Sequence, residues 1–147
     1  MITIVCLGAS NTEGYGVSRD EAYPARLEAL LKARGIEARV LNAGISGEPT
    51  SGMLARIDRD VPAGTSLVIL QPGINDAFHG MAHLREGNIA AMRAKLSDRG
   101  IRMVVMENEM LRALPAAERL ADGIHYTPAG YQLLAERILP AVLEVVE

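Results

Sequence analysis

Three groups of residues in this chain have the types and spacing for nucleophilic chemistry. Ser10 lies in a small turn, Gly8-Ala9-Ser10-Asn11, directly after an apolar run. Asp122 precedes His125 by three residues in "DGIHYTPAGY", a spacing that lets a carboxylate and an imidazole share one side of a turn. Asn75, in Gly73-Ile74-Asn75-Asp76, offers a carboxamide donor. A serine hydroxyl attacks poorly until a base takes its proton. An imidazole, with an ordinary pKa of about 6.5, suits that task near neutrality. A carboxylate behind the ring holds the required tautomer and stabilises the imidazolium. Attack on a carbonyl develops an oxyanion, and each preorganised donor aimed at it is worth ~3–4 kcal/mol of barrier. The glycine at 44 would let a backbone amide approach that charge closely.

Plainer readings exist for each group. Ser10 fits turn chemistry, Asn75-Asp76 a turn and helix cap, and Asp122-Gly123 a surface turn with His125 in water. Cofactor readings of the first turn fail on its residues. A phosphate-binding P-loop needs Gly-x4-Gly-Lys-Ser/Thr, and position 13 is Glu with no lysine following. A dinucleotide fingerprint meets Arg19 where its third glycine belongs, and the nucleophile elbow Gly-x-Ser-x-Gly fails because position 12 is Thr.

The elements that must position these residues are legible from periodicity. Runs at 2–7, 38–44, 66–73 and 101–107 are rich in Val, Ile and Leu and predict strands buried on both faces. Helical spacing covers 20–34, where Tyr23, Leu27, Leu30 and Leu31 share a face before Gly35. It also covers 50–60, ending before Pro62, and 83–98, where Leu84, Ile89, Met92 and Leu96 recur before Gly100. A last helix has Thr127 as N-cap and Pro128 at its first position. This alternation predicts an α/β fold, a three-layer α/β/α sandwich around a parallel sheet. In such sheets ligands bind beyond the carboxyl ends of the strands. With a flavodoxin-like order 2-1-3-4, the ends carrying Ser10, Gly44 and Asn75 are neighbours.

Composition bounds the function class. The 147 residues predict one domain, 1–147, with a real core. A net charge of −3 with scattered basic residues argues against a nucleic-acid partner. No run reaches membrane-spanning length and no leader pattern precedes Ile2, which predicts a cytoplasmic protein. Cys6, within Ile4-Val5-Cys6-Leu7, reads as a buried hydrophobe. No His or Cys cluster has metal-ligand spacing, so no metal or other cofactor is expected. Glu107 and Glu109 read as solvated carboxylates, and Met103, Met106 and Met110 as core filler. His79 and His83 are expected on an exposed helix start, with His79 near enough to Asn75 to touch a substrate.

Four blocks together resemble the SGNH hydrolases, also called GDSL-type esterases: Gly8-Ala9-Ser10, Asn42 to Gly47, Gly73-Ile74-Asn75-Asp76 and Asp122-Gly123-Ile124-His125. The Ser10–Gly16 stretch is most similar to the branch of thioesterases, lysophospholipases and arylesterases. The resemblance implies a Ser10 nucleophile, a His125 base and an Asp122 orienter. It also implies an oxyanion hole from the Ser10 and Gly44 N–H groups and the Asn75 side chain. Asn11, Tyr15, Phe78, His79 and Tyr126 lie close enough to the blocks to meet substrate. Where the family carries Asp, this chain has Ala9, and the stretch 76–121 is short for the family.

The function expected is serine hydrolysis of small carboxylic esters through an acyl-enzyme. A shallow site preferring short acyl groups follows from the short stretch, unless a second subunit of a homo-oligomer completes the groove. An acyl-thioesterase or lysophospholipase would use the same machinery. The rival from another class is an impaired SGNH-like binding module.

Overall fold

The alternation of side chains along the central strands generates both cores. In the computed structural model, which describes residues Met1–Glu147, the first strand β1 (Ile2–Gly8) lies between β2 (Ala38–Gly44) and β3 (Leu67–Gln71). The fourth, β4 (Arg102–Val105), pairs with β3. All pairs are parallel, as the alternation predicts, and the order is the flavodoxin-like β2-β1-β3-β4. Ile4, Cys6, Leu67 and Ile69 point to one face; Val5, Leu7, Val68 and Leu70 point to the other. Successive residues of a strand face opposite sides, so a sheet covered on both faces needs this unbroken apolar run.

Seven α-helices flank or cap the sheet. Beneath one face, α2 (Tyr23–Ala33) packs on α7 (Pro128–Val146), through Tyr23, Leu27 and Leu31 against Tyr131, Leu134, Ile138 and Val142. The other face is covered by α3 (Thr50–Asp60) and α5 (Arg85–Ser97), which contribute Met53, Ile57, Met92 and Leu96. Three short helices complete the set: α1 (Ser10–Glu13), α4 (Asn75–Phe78) and α6 (Asn108–Arg112). The architecture is thus the expected α/β/α sandwich. Thr127 caps α7, its Oγ1 accepting from the Gly130 N–H at 3.1 Å. No helix is long and apolar enough to cross a membrane.

Two expectations are corrected, on strand burial and on Leu84, and others are met. Only β1 and β3 are covered on both faces; β2 and β4 are edge strands and are partly exposed. Leu84 is exposed, because a 3-10 turn at Ala82–Leu84 precedes α5 and takes it off the buried stripe. Cys6 is fully buried, which pushes its thiol up to about 12 and leaves it inert as a nucleophile. Met103 and Met106 are buried and Met110 packs partly against the core, whereas Glu107 and Glu109 are exposed.

Candidate active site

The ends of β1 and of the 113–127 segment deliver the reactive groups to each other. Ser10 opens α1 immediately beyond β1, and His125 lies just before α7. The Ser10 hydroxyl is 2.8 Å from His125 Nε2, and His125 Nδ1 is 2.5 Å from Asp122 Oδ2. With Nδ1 donating to the carboxylate, Nε2 is left to accept the serine proton. Asp122 Oδ1 accepts the Ile124 and His125 N–H groups, both at 2.9 Å, which fixes the turn that presents the ring. Hydrogen bonds from the His125 backbone and then its ring hold the Asp122 carboxyl down at about 2, so it stays ionised. Tyr15, half exposed, stacks on the imidazole with ring centroids 4.3 Å apart.

A cavity of about 390 Å³ opens over this pair. Ser10, Asn11, Tyr15, Asn75, Phe78, His125 and Tyr126 all line it, which brings most of the expected site residues together. Asn75 Nδ2 donates one hydrogen to the Glu48 carbonyl at 3.3 Å, leaving its other hydrogen unclaimed. The Ser10 N–H finds no acceptor within the protein. Tyr126 is nearly buried, and its hydroxyl donates to the Leu111 carbonyl at 2.9 Å.

Two expectations change here. Gly44 does not line the cavity, and its N–H donates to Asn42 Oδ1 at 3.0 Å. A Cβ at 44 would lie 2.2 Å from the Glu13 nitrogen, so this glycine exists to let α1 pack on β2. Of the two glycines in this block, the one that lines the cavity is Gly47, whose N–H has no acceptor within the protein. His79 also stays out of the cavity; its Nε2 lies 3.2 Å from the Gly47 carbonyl, supporting that loop instead. His83 is exposed in the turn before α5. No group of three or more His, Cys, Asp or Glu side chains is placed to hold a metal ion.

Residues 6–117 match the GDSL-like lipase/acylhydrolase family. The chain belongs to that family. Esterase TesA of Pseudomonas aeruginosa is 31% identical over 109 residues, which cover 71% of this chain and 53% of that protein. The chain therefore spans about half the length of the curated relatives it matches. Among solved structures, AlinE4, an SGNH-hydrolase family esterase, is 31% identical with a TM-score of 0.66, covering 97% of this chain and 71% of that one. A crystal structure of TesA superimposes with a TM-score of 0.87 at 24% identity, over 97% of this chain and 99% of that chain, and speaks for the fold.

Within this GDSL-like frame, the position of Ala9 is served by a residue the motifs did not mark. Gln71, at the end of β3 and 2% exposed, accepts from the Ala9 N–H at 3.1 Å and the Thr12 hydroxyl at 3.0 Å. The serine turn is thereby tied to β3 without a carboxylate at position 9. A polar residue closing the apolar run Leu67-Val68-Ile69-Leu70 was the available signal. Gly47 is the last glycine of the Asn42–Gly47 block, a sequence signal as plain as Gly44 at the strand end.

Proposed function

We propose that this chain is a carboxylic-ester hydrolase acting through an acyl-enzyme on Ser10. The observation that carries the proposal is the unbroken hydrogen-bonded line from Asp122 through His125 to the Ser10 hydroxyl. His125 Nε2 takes the hydroxyl proton as Oγ bonds to the ester carbonyl carbon, and the carbonyl π pair moves onto oxygen. The Ser10 and Gly47 N–H groups and Asn75 Nδ2 stabilise that oxyanion. Collapse breaks the bond to the alcohol oxygen, which leaves with the proton held on Nε2. Water then repeats the sequence: Nε2 takes its proton, hydroxide oxygen bonds to the acyl carbon, and Ser10 departs with the proton restored. Asp122, fixed in charge by its three hydrogen bonds, steadies the imidazolium at each stage.

The substrates that fit are small esters with short acyl groups, because the cavity is at the low end of ligand-site volumes. An impaired binding module is the poorer reading, since Gln71 anchors the turn that Ala9 leaves without a carboxylate. A fluorophosphonate probe and p-nitrophenyl butyrate test the proposal together. The protein should label and turn over the ester, and both signals should vanish in Ser10→Ala and fall to near background in His125→Ala. Full ester turnover by a folded Ser10→Ala protein would overturn it.

A further inference from the structure

A buried cation stands behind the loop that carries Gly47. Arg56, in the second half of α3, is 6% exposed. Its Nε bonds Glu48 Oε1 at 2.7 Å and its Nη1 bonds Asp60 Oδ2 at 2.8 Å. Its Nη2 donates to the Ala43 carbonyl at 2.8 Å and the Gly8 carbonyl at 3.3 Å. One guanidinium thus joins the ends of β1 and β2 to the loop following β2. A charge buried this deeply persists only when paired and hydrogen-bonded, and the planar fork of arginine fixes the directions of its partners.

The Glu48 partner connects this cation to the site. Its side chain is 14% exposed, its carbonyl receives Asn75 Nδ2, and its neighbour in sequence is Gly47. Room for the carboxylate is provided by Gly52, where a Cβ would lie 2.6 Å from Glu48 Cγ. Glu48 therefore has its side chain locked by α3 while its backbone holds one oxyanion donor and adjoins another. We propose that the Arg56–Glu48 ion pair is a positioning device that sets Gly47 and Asn75 for the developing oxyanion. The proposal rests on the hydrolase reading and adds residues outside the cavity lining to its machinery.

Glu48→Gln and Gly52→Ala test the device from two sides. The first removes the ion pair while keeping an amide of similar shape. The second keeps the carboxylate but displaces it sterically, from a glycine in the first turn of α3. With p-nitrophenyl butyrate, and active sites counted by fluorophosphonate titration, each variant should lose about 10- to 100-fold in kcat, the scale of a misplacement near 1 Å. KM should stay within about two-fold, since donors aimed at the oxyanion act mainly in the transition state. Protection from hydrogen exchange of the residue-48 amide, which donates to the Ile45 carbonyl at 3.3 Å, should fall in both variants. Wild-type kcat per active site in a folded Gly52→Ala protein, or unchanged protection of the residue-48 amide in Glu48→Gln, would overturn the proposal. Should the native protein turn over no ester, the hydrolase reading fails, and the exchange measurement still decides whether Glu48 holds the loop.

Discussion

The Asn11 carboxamide donates to the Ile124 carbonyl at 3.1 Å, joining the residue after Ser10 to the residue before His125. Its Oδ1 accepts from the Tyr131 hydroxyl at 3.2 Å, and the side chain is almost fully buried. Asn11 therefore spends its polar atoms on assembling the site, although it lines the cavity. Asn11→Ala should destabilise the fold by about 1–3 kcal/mol, because Tyr131 and Ile124 lose buried partners. The midpoint of urea unfolding measures this. An unchanged midpoint would make Asn11 a substrate contact and nothing more.

Gly44 and Gly47 should respond differently to alanine. At 44 the added methyl meets backbone of α1, so Gly44→Ala should lower the melting temperature or abolish folding. At 47 there is open space, but φ is +80°, a conformation that L residues rarely adopt. Gly47→Ala should leave a folded protein whose turned peptide lowers kcat by ~10²-fold, comparable to losing one oxyanion donor. Circular dichroism melting and kcat measured on the same preparations separate the two roles. Equal stability and unequal activity in the reverse sense would return the donor to Gly44.

Asp122 gives a pH signature. Its carboxyl is held at about 2, below the ~3.9 of an unfolded aspartate. A depressed folded pKa stabilises the native state above the unfolded value and ceases to do so as pH falls through the folded one. The extra melting temperature of the native protein over Asp122→Asn should thus be full at pH 5 and shrink between about pH 4 and pH 2. A difference that stays constant across that window would show that the carboxylate's charge is not what its three hydrogen bonds stabilise.

Acyl length should be limited by the wall available. Phe78 and Ile74 border the cavity but are themselves substantially exposed, so a long chain would lie against water on one side. Each fully buried methylene gains about 0.8 kcal/mol, close to four-fold in kcat/KM. Across p-nitrophenyl acetate to octanoate, kcat/KM should rise to butyrate and then level or fall. A steady four-fold gain per methylene through octanoate, in a protein shown to be monomeric by sedimentation, would mean that a longer groove exists.

Much of this arrangement was legible in the sequence because the relevant signals are local. Strand and helix periods survive translation into structure when both faces of a strand are covered, as for Ile4 to Leu7. The hydrogen-bonded grouping of Ser10, His125 and Asp122 was equally readable, since Ser10 follows a strand and Asp122-x-x-His125 closes its own turn. Less legible was anything decided by which way a peptide turns. Gly44 closes β2 and Gly47 lies three residues on in the loop that follows, and only the hydrogen bond to Asn42 tells which amide is already engaged. The roles of Gln71 and Arg56 depend on contacts 59 and 48 residues away in sequence, and no local pattern announces them.

The placement of His125 immediately before α7 has a consequence for biosynthesis. The imidazole is held where Ser10 can reach it by a helix whose Tyr131, Leu134, Ile138 and Val142 must first settle on α2 and β1. A ribosome-bound nascent chain that has exposed only its first hundred residues already displays the serine turn, yet carries no base to activate it. On the proposed hydrolase reading, activation of Ser10 requires α7 to be docked, so probe labelling during translation would report the docking of that helix and not the appearance of the nucleophile.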